Sequence, residues 1–374
     1  MAIETILAFG NTFAASFNII YMYKKLHMEL WAGPLFFALG FSIAILVSLW
    51  MSRQKRMNLE LQMVFALACL CLEYSLFIFV TNGWVLSLFV GIAFGLFYPF
   101  FWSSFNLLMA LLTEKTDRGV KYGVSFFIWP VATFFAPFLG GLVIGYASYQ
   151  ALFAIGIAII VATALLIIPY RKYIPKDQSV RIDLKGIGKR NAIAVIGEGG
   201  FEGIFWIDIT IISYMFLKDE IELGALFSLF GLSAGIMAVI LGKVSDKIQN
   251  RIFFLRASAV ATIPCVVIVY LADSLESFAV ANGILEFAAF MFPVFVFSLL
   301  TDRLEPRKND SVVTREFLLD VGRAGTLIPM IGLLYIGATP QQLFLLCIPF
   351  LLMTLQAEEK KKKTAEHLAA KKDV

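Results

Sequence analysis

Apolar stretches of about 20 residues, the length that crosses a bilayer as a helix, follow one another along almost the whole chain. Short segments that carry most of the charges separate them. Because a backbone in lipid must satisfy its own hydrogen bonds, each stretch predicts one transmembrane helix. The sequence therefore predicts an all-α membrane protein with twelve helices, numbered in chain order, near residues 3–22, 31–52, 59–81, 84–112, 122–146, 150–170, 191–217, 223–242, 252–272, 276–300, 313–336 and 340–356.

The composition excludes the main classes of soluble protein. Of the 374 residues, 60% are hydrophobic and only 16% are charged, whereas about a quarter of an ordinary soluble domain is charged. A soluble enzyme, a nucleic-acid-binding protein and a disordered regulator are therefore excluded. The four cysteines lie in apolar stretches, so neither a disulfide framework nor a zinc site is expected. No Gly-x-x-x-x-Gly-Lys-Ser/Thr loop for ATP occurs, and no cofactor is predicted.

The basic residues are distributed unevenly between the two sets of loops. Of the 31 Lys and Arg residues, 28 lie in or beside the loops after the even-numbered helices, or in the segment after residue 356. Only Lys24, Lys25 and Lys218 lie in the other loops. Since short cytoplasmic loops carry the excess of Lys and Arg, both termini and the 171–190 segment are predicted to be cytoplasmic. The positive charge therefore reflects topology and indicates no nucleic-acid partner.

The two sets of six helices contain related segments. Residues 110–118, at the end of helix 4, are similar to residues 298–307, which follow helix 10. We therefore predict two pseudo-symmetric six-helix bundles, residues 1–170 and 191–356, joined by a linker at 171–190 and followed by a charged tail at 357–374. Two repeated bundles are typical of transporters that bind their substrate between the repeats.

The segment that follows helix 8, Gly242-Lys-Val-Ser-Asp-Lys-Ile-Gln-Asn-Arg251, together with twelve helices and a long central loop, resembles the major facilitator superfamily. In that family a Gly-x-x-x-Asp-Arg/Lys-x-x-x-Arg turn locks neighbouring helices on the cytoplasmic side in the outward-open state. The resemblance implies this gate role for Gly242, Asp246, Lys247 and Arg251. The corresponding segment at 47–56 keeps the two terminal basic residues but lacks the Gly and the Asp.

A second, partial resemblance lies in helix 5. Residues 136–141, Ala-Pro-Phe-Leu-Gly-Gly, are similar to the Gly-Pro-x-x-Gly-Gly segment of the family's antiporters, although the preceding glycines of that pattern are replaced. The family resemblance implies a secondary active transporter that works by alternating access. The helix 5 segment favours efflux by antiport over uptake by symport.

Helix 7 carries two carboxylates near the middle of the membrane. Glu198 and Glu202 are four residues apart, so they lie on one face of the helix. Two carboxylates so close cannot both be ionised cheaply in lipid, and the pair is therefore predicted to bind and release a proton. In the alternative interpretation both glutamates are bonded permanently to neighbouring Ser or Arg side chains. Asp208, near the outer end of this helix, is expected to be hydrated or to cap the helix.

Further charged residues lie in helices 10 and 11. Arg315, Glu316, Asp320 and Arg323 have spacings that allow pairing along one face of helix 11. This pattern predicts either a neutralised structural network, or a relay in which Asp320 takes part in proton coupling and Arg323 binds an anionic group. Glu286 lies in helix 10, which lines the cavity in the family, and is a further candidate for coupling or substrate contact.

By the resemblance, helices 1, 4, 7 and 10 line the substrate cavity. The polar and aromatic candidates on helices 1, 4 and 7 are Asn11, Asn18, Trp102, Asn106 and Trp206. Aromatic rings with a few amides suit sugars, nucleosides or amphipathic drugs equally well.

The sequence therefore predicts a proton-coupled secondary transporter for a small molecule, monomeric and embedded in the inner or plasma membrane. An enzyme is not expected, because the sequence places no cluster of catalytic or metal-binding residues at membrane depth. The alternative is a non-transporting receptor or assembly scaffold with the same fold, whose activity would tolerate Glu198→Gln and Glu202→Gln.

Overall fold

The computed structural model describes residues 2–112, 118–244, 251–290 and 308–358, and nearly all of them are helical. The first six spans are α1 with α2, then α3 to α7: α1 (Ala2–Ala15), α2 (Asn18–Lys24), α3 (Leu35–Met51), α4 (Leu59–Phe79), α5 (Gly83–Leu112), α6 (Arg118–Tyr146) and α7 (Tyr149–Tyr170). A linker with the short α8 (Leu184–Ile187) follows. The last six spans consist of α9 (Lys189–Phe216), α10 (Glu220–Val244), α11 (Arg251–Tyr270), α12 (Leu275–Ala289), α13 (Lys308–Tyr335), and α14 (Pro340–Phe344) with α15 (Cys347–Thr354).

Length and composition support a membrane-spanning role for these helices. Among the described residues, eight helices are long and apolar enough to cross a membrane, and 35–51 and 340–354 are shorter apolar helices. The helix α9 has 28 residues but carries three carboxylates, and residues beyond the end of α12 lie outside the described ranges. Large apolar side chains such as Phe79, Leu46 and Leu165 point outward. In lipid, unlike in water, such exposure carries no hydrophobic cost.

The first span differs from its prediction, because a turn at residues 16–17 divides it into α1 and α2. Before and within the turn, the hydroxyls of Thr12 and Ser16 donate hydrogen bonds to the backbone carbonyls of Ala8 and Thr12. Such bonds to the preceding turn often bend a helix. The last span is likewise divided at residues 345–346.

The pairing of helices is the same in the two bundles. In the first bundle, α1 packs against α6 and α7, α4 packs against α5 and α7, and α3 packs against α5. In the second, α9 packs against α13 and α15, α11 packs against α12 and α15, and α10 packs against α12. Each contact thus recurs six spans later, and the prediction of two pseudo-symmetric bundles is confirmed.

Two helix pairs, α6 with α10 and α3 with α13, form most of the contact between the bundles. The linker lies across one end of both bundles, which we call the linker end; the opposite end is the distal end. At the linker end, Met57 and Gln178 form an antiparallel bridge, and the backbone N–H of Arg181 donates to Asp310 at 2.8 Å. The linker therefore connects the loop before α4 to the beginning of α13.

Candidate functional site

Glycines set the distance between α9 and α13. A methyl group at Gly199 would overlap the backbone of Leu319, and one at Gly322 would overlap the Ile196 carbonyl. Gly203 faces the backbone of Arg323 in the same way. These small residues let the two helix backbones approach closely, and that approach brings the carboxylates of α9 beside the arginines of α13.

The first ion pair joins Glu198 to Arg315. The Arg315 Nη2 donates to Glu198 Oε1 at 2.6 Å, and its Nη1 donates to Glu316 Oε1 at 3.1 Å. The same Glu316 oxygen accepts a hydrogen bond of 3.2 Å from the Asn106 amide on α5. A chain of contacts therefore runs from α9 through α13 to the other bundle.

The second ion pair joins Glu202 to Arg323. The guanidinium donates to Glu202 Oε2 through Nη2 at 2.5 Å and through Nε at 3.1 Å. Its remaining Nη1 donates to Asp320 Oδ1 at 2.9 Å. The expected pairing of Asp320 with Arg323 along α13 is present, and both side chains are buried.

Three aromatic rings surround the Arg323 guanidinium. Its central carbon lies 5.0 Å from the ring centre of Tyr98, 5.2 Å from that of Trp206 and 5.3 Å from that of Phe41. Contacts at these distances attract a cation to the face of a ring. Since Tyr98 and Phe41 belong to the first bundle, Arg323 connects the two bundles.

The six charged side chains form what we call the acid–arginine cluster: Glu198, Glu202, Arg315, Glu316, Asp320 and Arg323. All six are buried. With every group ionised, four negative charges face two positive ones, and the cluster has a formal charge of −2. One oxygen each of Glu198 and Asp320 is buried and accepts no hydrogen bond from the described residues. Uncompensated charge costs several kcal/mol in a low-dielectric interior, so the cluster is suited to bind protons or a cation.

An aromatic wall lies beside the cluster on α5 and α6. Tyr98, Trp102 and Asn106 are spaced four residues apart, and all three are half-buried on a helix whose neighbouring positions are mostly buried or lipid-facing. The Trp102 ring lies 5.4 Å from that of Trp129 on α6. On the facing bundle, Trp206 is 46% exposed although most of α9 is buried. These exposed ring surfaces indicate a space between the bundles.

The two asparagines predicted to line the cavity lie elsewhere. The Asn18 amide donates to Glu73 Oε1 on α4 at 3.1 Å, and Asn11 Oδ1 accepts from the Tyr74 hydroxyl at 3.2 Å. The two residues share one face, as their spacing of seven predicts, but that face contacts α4 within the first bundle. The structure thus separates Asn11 and Asn18 from the acid–arginine cluster.

Glu286 is not part of the cluster either. Glu286 is half-buried on α12, and its carboxylate accepts no hydrogen bond from the described residues. In the predicted gate, Asp246 and Lys247 lie outside the described residues, and so does the side chain of Arg251. Gly242 lies near the end of α10.

The prediction that Asp208 is hydrated or caps the helix is wrong. Asp208 lies eight residues before the end of α9, its side chain is fully buried, and neither carboxylate oxygen has a hydrogen-bond partner among the described residues. The sequence places it near a helix end, but the packing of α2 and α15 against α9 covers it.

At the distal end the bundles are in contact. The Lys24 Nζ of α2 lies 2.7 Å from Glu220 Oε2 of α10, and the Tyr149 hydroxyl donates to Glu220 Oε1 at 2.9 Å. Beside this pair the rings of Tyr23 and Tyr214 lie 5.5 Å apart. We call the contacts of Lys24 and Tyr149 with Glu220 the distal latch. Because Lys24 and Tyr149 belong to the first bundle and Glu220 to the second, the distal end is closed in this conformation.

Sequence reasoning missed several of these residues. Tyr98 and Trp129 were not predicted to face the cavity, although the spacing of Tyr98, Trp102 and Asn106 is a helical periodicity that could have identified the first of them. The partners within the distal latch carry no such signal, because they lie on different helices.

Comparison with known proteins agrees with this architecture. The family model of the Major Facilitator Superfamily matches residues 1–314. No curated protein shows significant sequence similarity to the chain. Among solved structures, the human organic anion transporter MFSD10 (TETRAN) has a TM-score of 0.66 at 13% identity, covering 94% of this chain and 96% of its own. The E. coli fucose:proton symporter FucP has a TM-score of 0.65 at 14% identity, covering 96% and 98%.

An auto-inhibited peptide transporter of the POT family has a TM-score of 0.73 at 9% identity, and the match covers 97% of each chain. At such identities the similarity establishes the fold alone. The family model, which covers most of the chain, establishes more: this protein is an integral membrane protein that belongs to the major facilitator superfamily of transporters.

Proposed function

We propose that the chain is a proton-coupled secondary transporter that moves a small organic molecule by alternating access. The observation that carries this proposal is the acid–arginine cluster. Its four carboxylates and two guanidinium groups are buried at the contact between the bundles, and its formal excess of two negative charges favours the binding of protons.

The cluster can couple proton binding to the separation of the bundles. Glu316 accepts a hydrogen bond from Asn106 of the other bundle, and a charged acceptor makes a stronger hydrogen bond than a neutral one. Arg323 contacts the rings of Tyr98 and Phe41, and its position depends on Glu202 and Asp320. A proton that neutralises one of these carboxylates therefore weakens a contact that joins the bundles.

The half-exposed rings beside the cluster support a substrate with an aromatic or ring-shaped apolar part. Trp206, Trp102 and Tyr98 offer flat surfaces, and Asn106 supplies a polar contact. The similar structures include transporters of organic anions, of fucose and of peptides, so these classes belong in any substrate screen. A monomer is proposed to contain the complete site.

The linker end is proposed to face the cytoplasm, with both termini on that side, because the basic loops lie there. The distal end then faces the outside of a cell membrane. We favour efflux by antiport, on the basis of the helix 5 segment. Its Gly141 contacts the backbone of Glu220, and Pro137 contacts that of Gly224, so this segment holds the distal contact between the bundles.

The first test is a thermal-shift screen of the detergent-purified protein. Sugars, nucleosides, amino acids, short peptides, organic acids and lipophilic cations are added at increasing concentration. A ligand that binds only the folded protein raises its stability by RT ln(1 + [L]/Kd), so a substrate should raise the melting temperature in a dose-dependent way. A panel without any such shift would favour the receptor or scaffold alternative.

The second test uses proteoliposomes with an imposed proton gradient and the substrate class identified by the screen. Glu198→Gln and Glu202→Gln should abolish gradient-driven accumulation while exchange persists. Glu222→Gln, a substitution of an exposed carboxylate at the start of α10, is the matched control and should transport normally. If uphill transport survives in both cluster variants, proton coupling through the cluster is refuted.

A further inference from the structure

Asp208 differs from every carboxylate of the acid–arginine cluster. Those four each contact an arginine. Asp208 is 0% exposed, and among the described residues neither of its oxygens accepts a hydrogen bond. Asp208 is therefore a buried acid on α9 that has no hydrogen-bond partner among the described residues. It lies six residues from Glu202, or about 9 Å along the helix at 1.5 Å per residue.

The groups around Asp208 do not neutralise it. Among the described residues, the titratable side chains that lie near Asp208 are Tyr23 on α2 and Cys347 on α15. The Tyr23 hydroxyl already donates to the Leu30 carbonyl at 2.7 Å. Between Arg323 and Tyr335, α13 contains no titratable residue, and its buried positions there include Leu327 and Met330. The helix α14 contains no titratable residue either, and the carboxylates of α10 follow the end of α9 in the chain.

An ionised carboxylate that is fully buried and accepts no hydrogen bond from the described residues would cost several kcal/mol. Burial of this kind favours the neutral, protonated form of Asp208 while the distal end is closed. The neutral carboxylic acid has the lower desolvation cost and needs no counter-charge.

The helices that cover Asp208 determine from which end of the protein a proton can reach it. It lies about 12 Å from the end of α9, at 1.5 Å per residue. The contact of Tyr23 with Tyr214 and the distal latch lie between it and the distal end. Because α2 belongs to one bundle and α9 to the other, separating the bundles at this end would remove Tyr23 and admit water to Asp208.

We propose that Asp208 is a proton-binding site that is loaded from the distal side and occluded when the distal end closes. This inference rests on the proposed function, because it assigns the coupling proton a binding site that is reached from one side of the membrane. An ionised Asp208 needs water and keeps the distal end open, whereas a protonated Asp208 allows it to close. Acidic conditions should therefore favour the closed distal end, and alkaline conditions the open one.

The test measures conformation and protonation without any substrate. Spin labels are attached to cysteines introduced at Tyr146 and Leu271, which are exposed at the distal ends of the two bundles, in a Cys71→Ala background. Label-to-label distances are measured across an acidic-to-alkaline series. The unsubstituted pair should show a growing long-distance population as the pH rises. Asp208→Asn should lose most of this shift and remain mainly at the short distance, because only the cluster then still responds to pH.

The matched control is Glu73→Gln. Glu73 is also a buried acid, and one of its oxygens has no hydrogen-bond partner among the described residues, but it lies on α4, where Asn18 donates to its other oxygen. This variant should keep the pH-dependent shift. A shift that persists undiminished in Asp208→Asn, or that is reduced equally in Glu73→Gln, would overturn the proposal.

Infrared spectroscopy gives a second measurement that holds even if Asp208→Asn does not fold. In protein labelled with carboxyl-¹³C aspartate, a protonated acid without hydrogen bonds has a carbonyl band at higher frequency than a bonded one. We expect such a band at acidic pH, shifted by the isotope and lost in alkaline solution. Its absence at every pH would also overturn the proposal. Loss of uphill coupling in the cluster variants is a separate outcome, so failure of the proposed function would be recognised independently.

Discussion

Replacing Arg315 by glutamine removes one of the two positive charges of the acid–arginine cluster, and the consequence should differ sharply from that of replacing Glu198. Without the Arg315 guanidinium, Glu198 is a buried carboxylate that has lost its ion pair of 2.6 Å. Breaking a buried pair from one side costs about 3–5 kcal/mol. The formal charge of the cluster meanwhile changes from −2 to −3, which adds repulsion among the remaining carboxylates.

The reverse substitution is milder. In Glu198→Gln the amide oxygen can still accept from Arg315, and Arg315 keeps its contact of 3.1 Å with Glu316. The formal charge falls in magnitude from −2 to −1, so repulsion decreases. The expected loss is about 1 kcal/mol, the net value of an ordinary hydrogen bond.

Thermal unfolding in detergent, followed by intrinsic tryptophan fluorescence, measures the difference. Arg315→Gln should lower the melting temperature by roughly 5–10 °C, and Glu198→Gln by a few degrees at most. The double variant should be more stable than Arg315→Gln alone, because it no longer leaves a carboxylate unpaired. Equal losses in the two single variants would refute the view that the cluster carries an excess of negative charge.

Two further predictions concern the contacts between helices. Glu220→Gln breaks the ion pair with Lys24 in the distal latch. Because this pair is partly exposed, the closed distal end should lose no more than about 1 kcal/mol of stability. Distances between distal labels should then show a few-fold larger open population, and an unchanged distribution would contradict the latch. Glu222→Gln is its control. Gly199→Val should push α9 away from α13 and lower the melting temperature strongly. Gly332→Ala should be tolerated, because a methyl group there meets no neighbour within 4 Å. Equal melting temperatures of the two variants would show that the close approach of α9 and α13 is not required.

Most bounds of the described spans could be predicted from the sequence to within a few residues, because each span is a local property. An apolar stretch in lipid must form a helix to satisfy its own backbone, whatever its neighbours are. The same reasoning placed Asp320 within reach of Arg323, since the two are three residues apart on one helix and the structure brings them to 2.9 Å. Local spacing also placed Glu198 and Glu202 on one face of α9.

The partners across helices could not be predicted in this way. That Glu198 pairs with Arg315, and Glu202 with Arg323, depends on the rotation and the axial shift of α9 against α13, which the contacts of Gly199 and Gly322 fix. The sequence alone left open whether the two glutamates share a proton or bind neighbouring arginines. The structure shows the ion pairs, and the charge balance of the whole cluster then becomes the relevant quantity.

Burial is the other property that only the tertiary structure decided. By sequence position Asp208 is close to a helix end and Asn18 is on a helix expected to line the cavity. The packing of α2 and α15 encloses the first, and the contact with Glu73 directs the second into its own bundle. The sequence by itself determined the number of helices, the distribution of basic residues between the loops and the type of fold, because these depend on short segments meeting lipid or water. Which polar groups meet inside the membrane depends on how all the helices pack together, since a contact between two helices is set by the shapes of both.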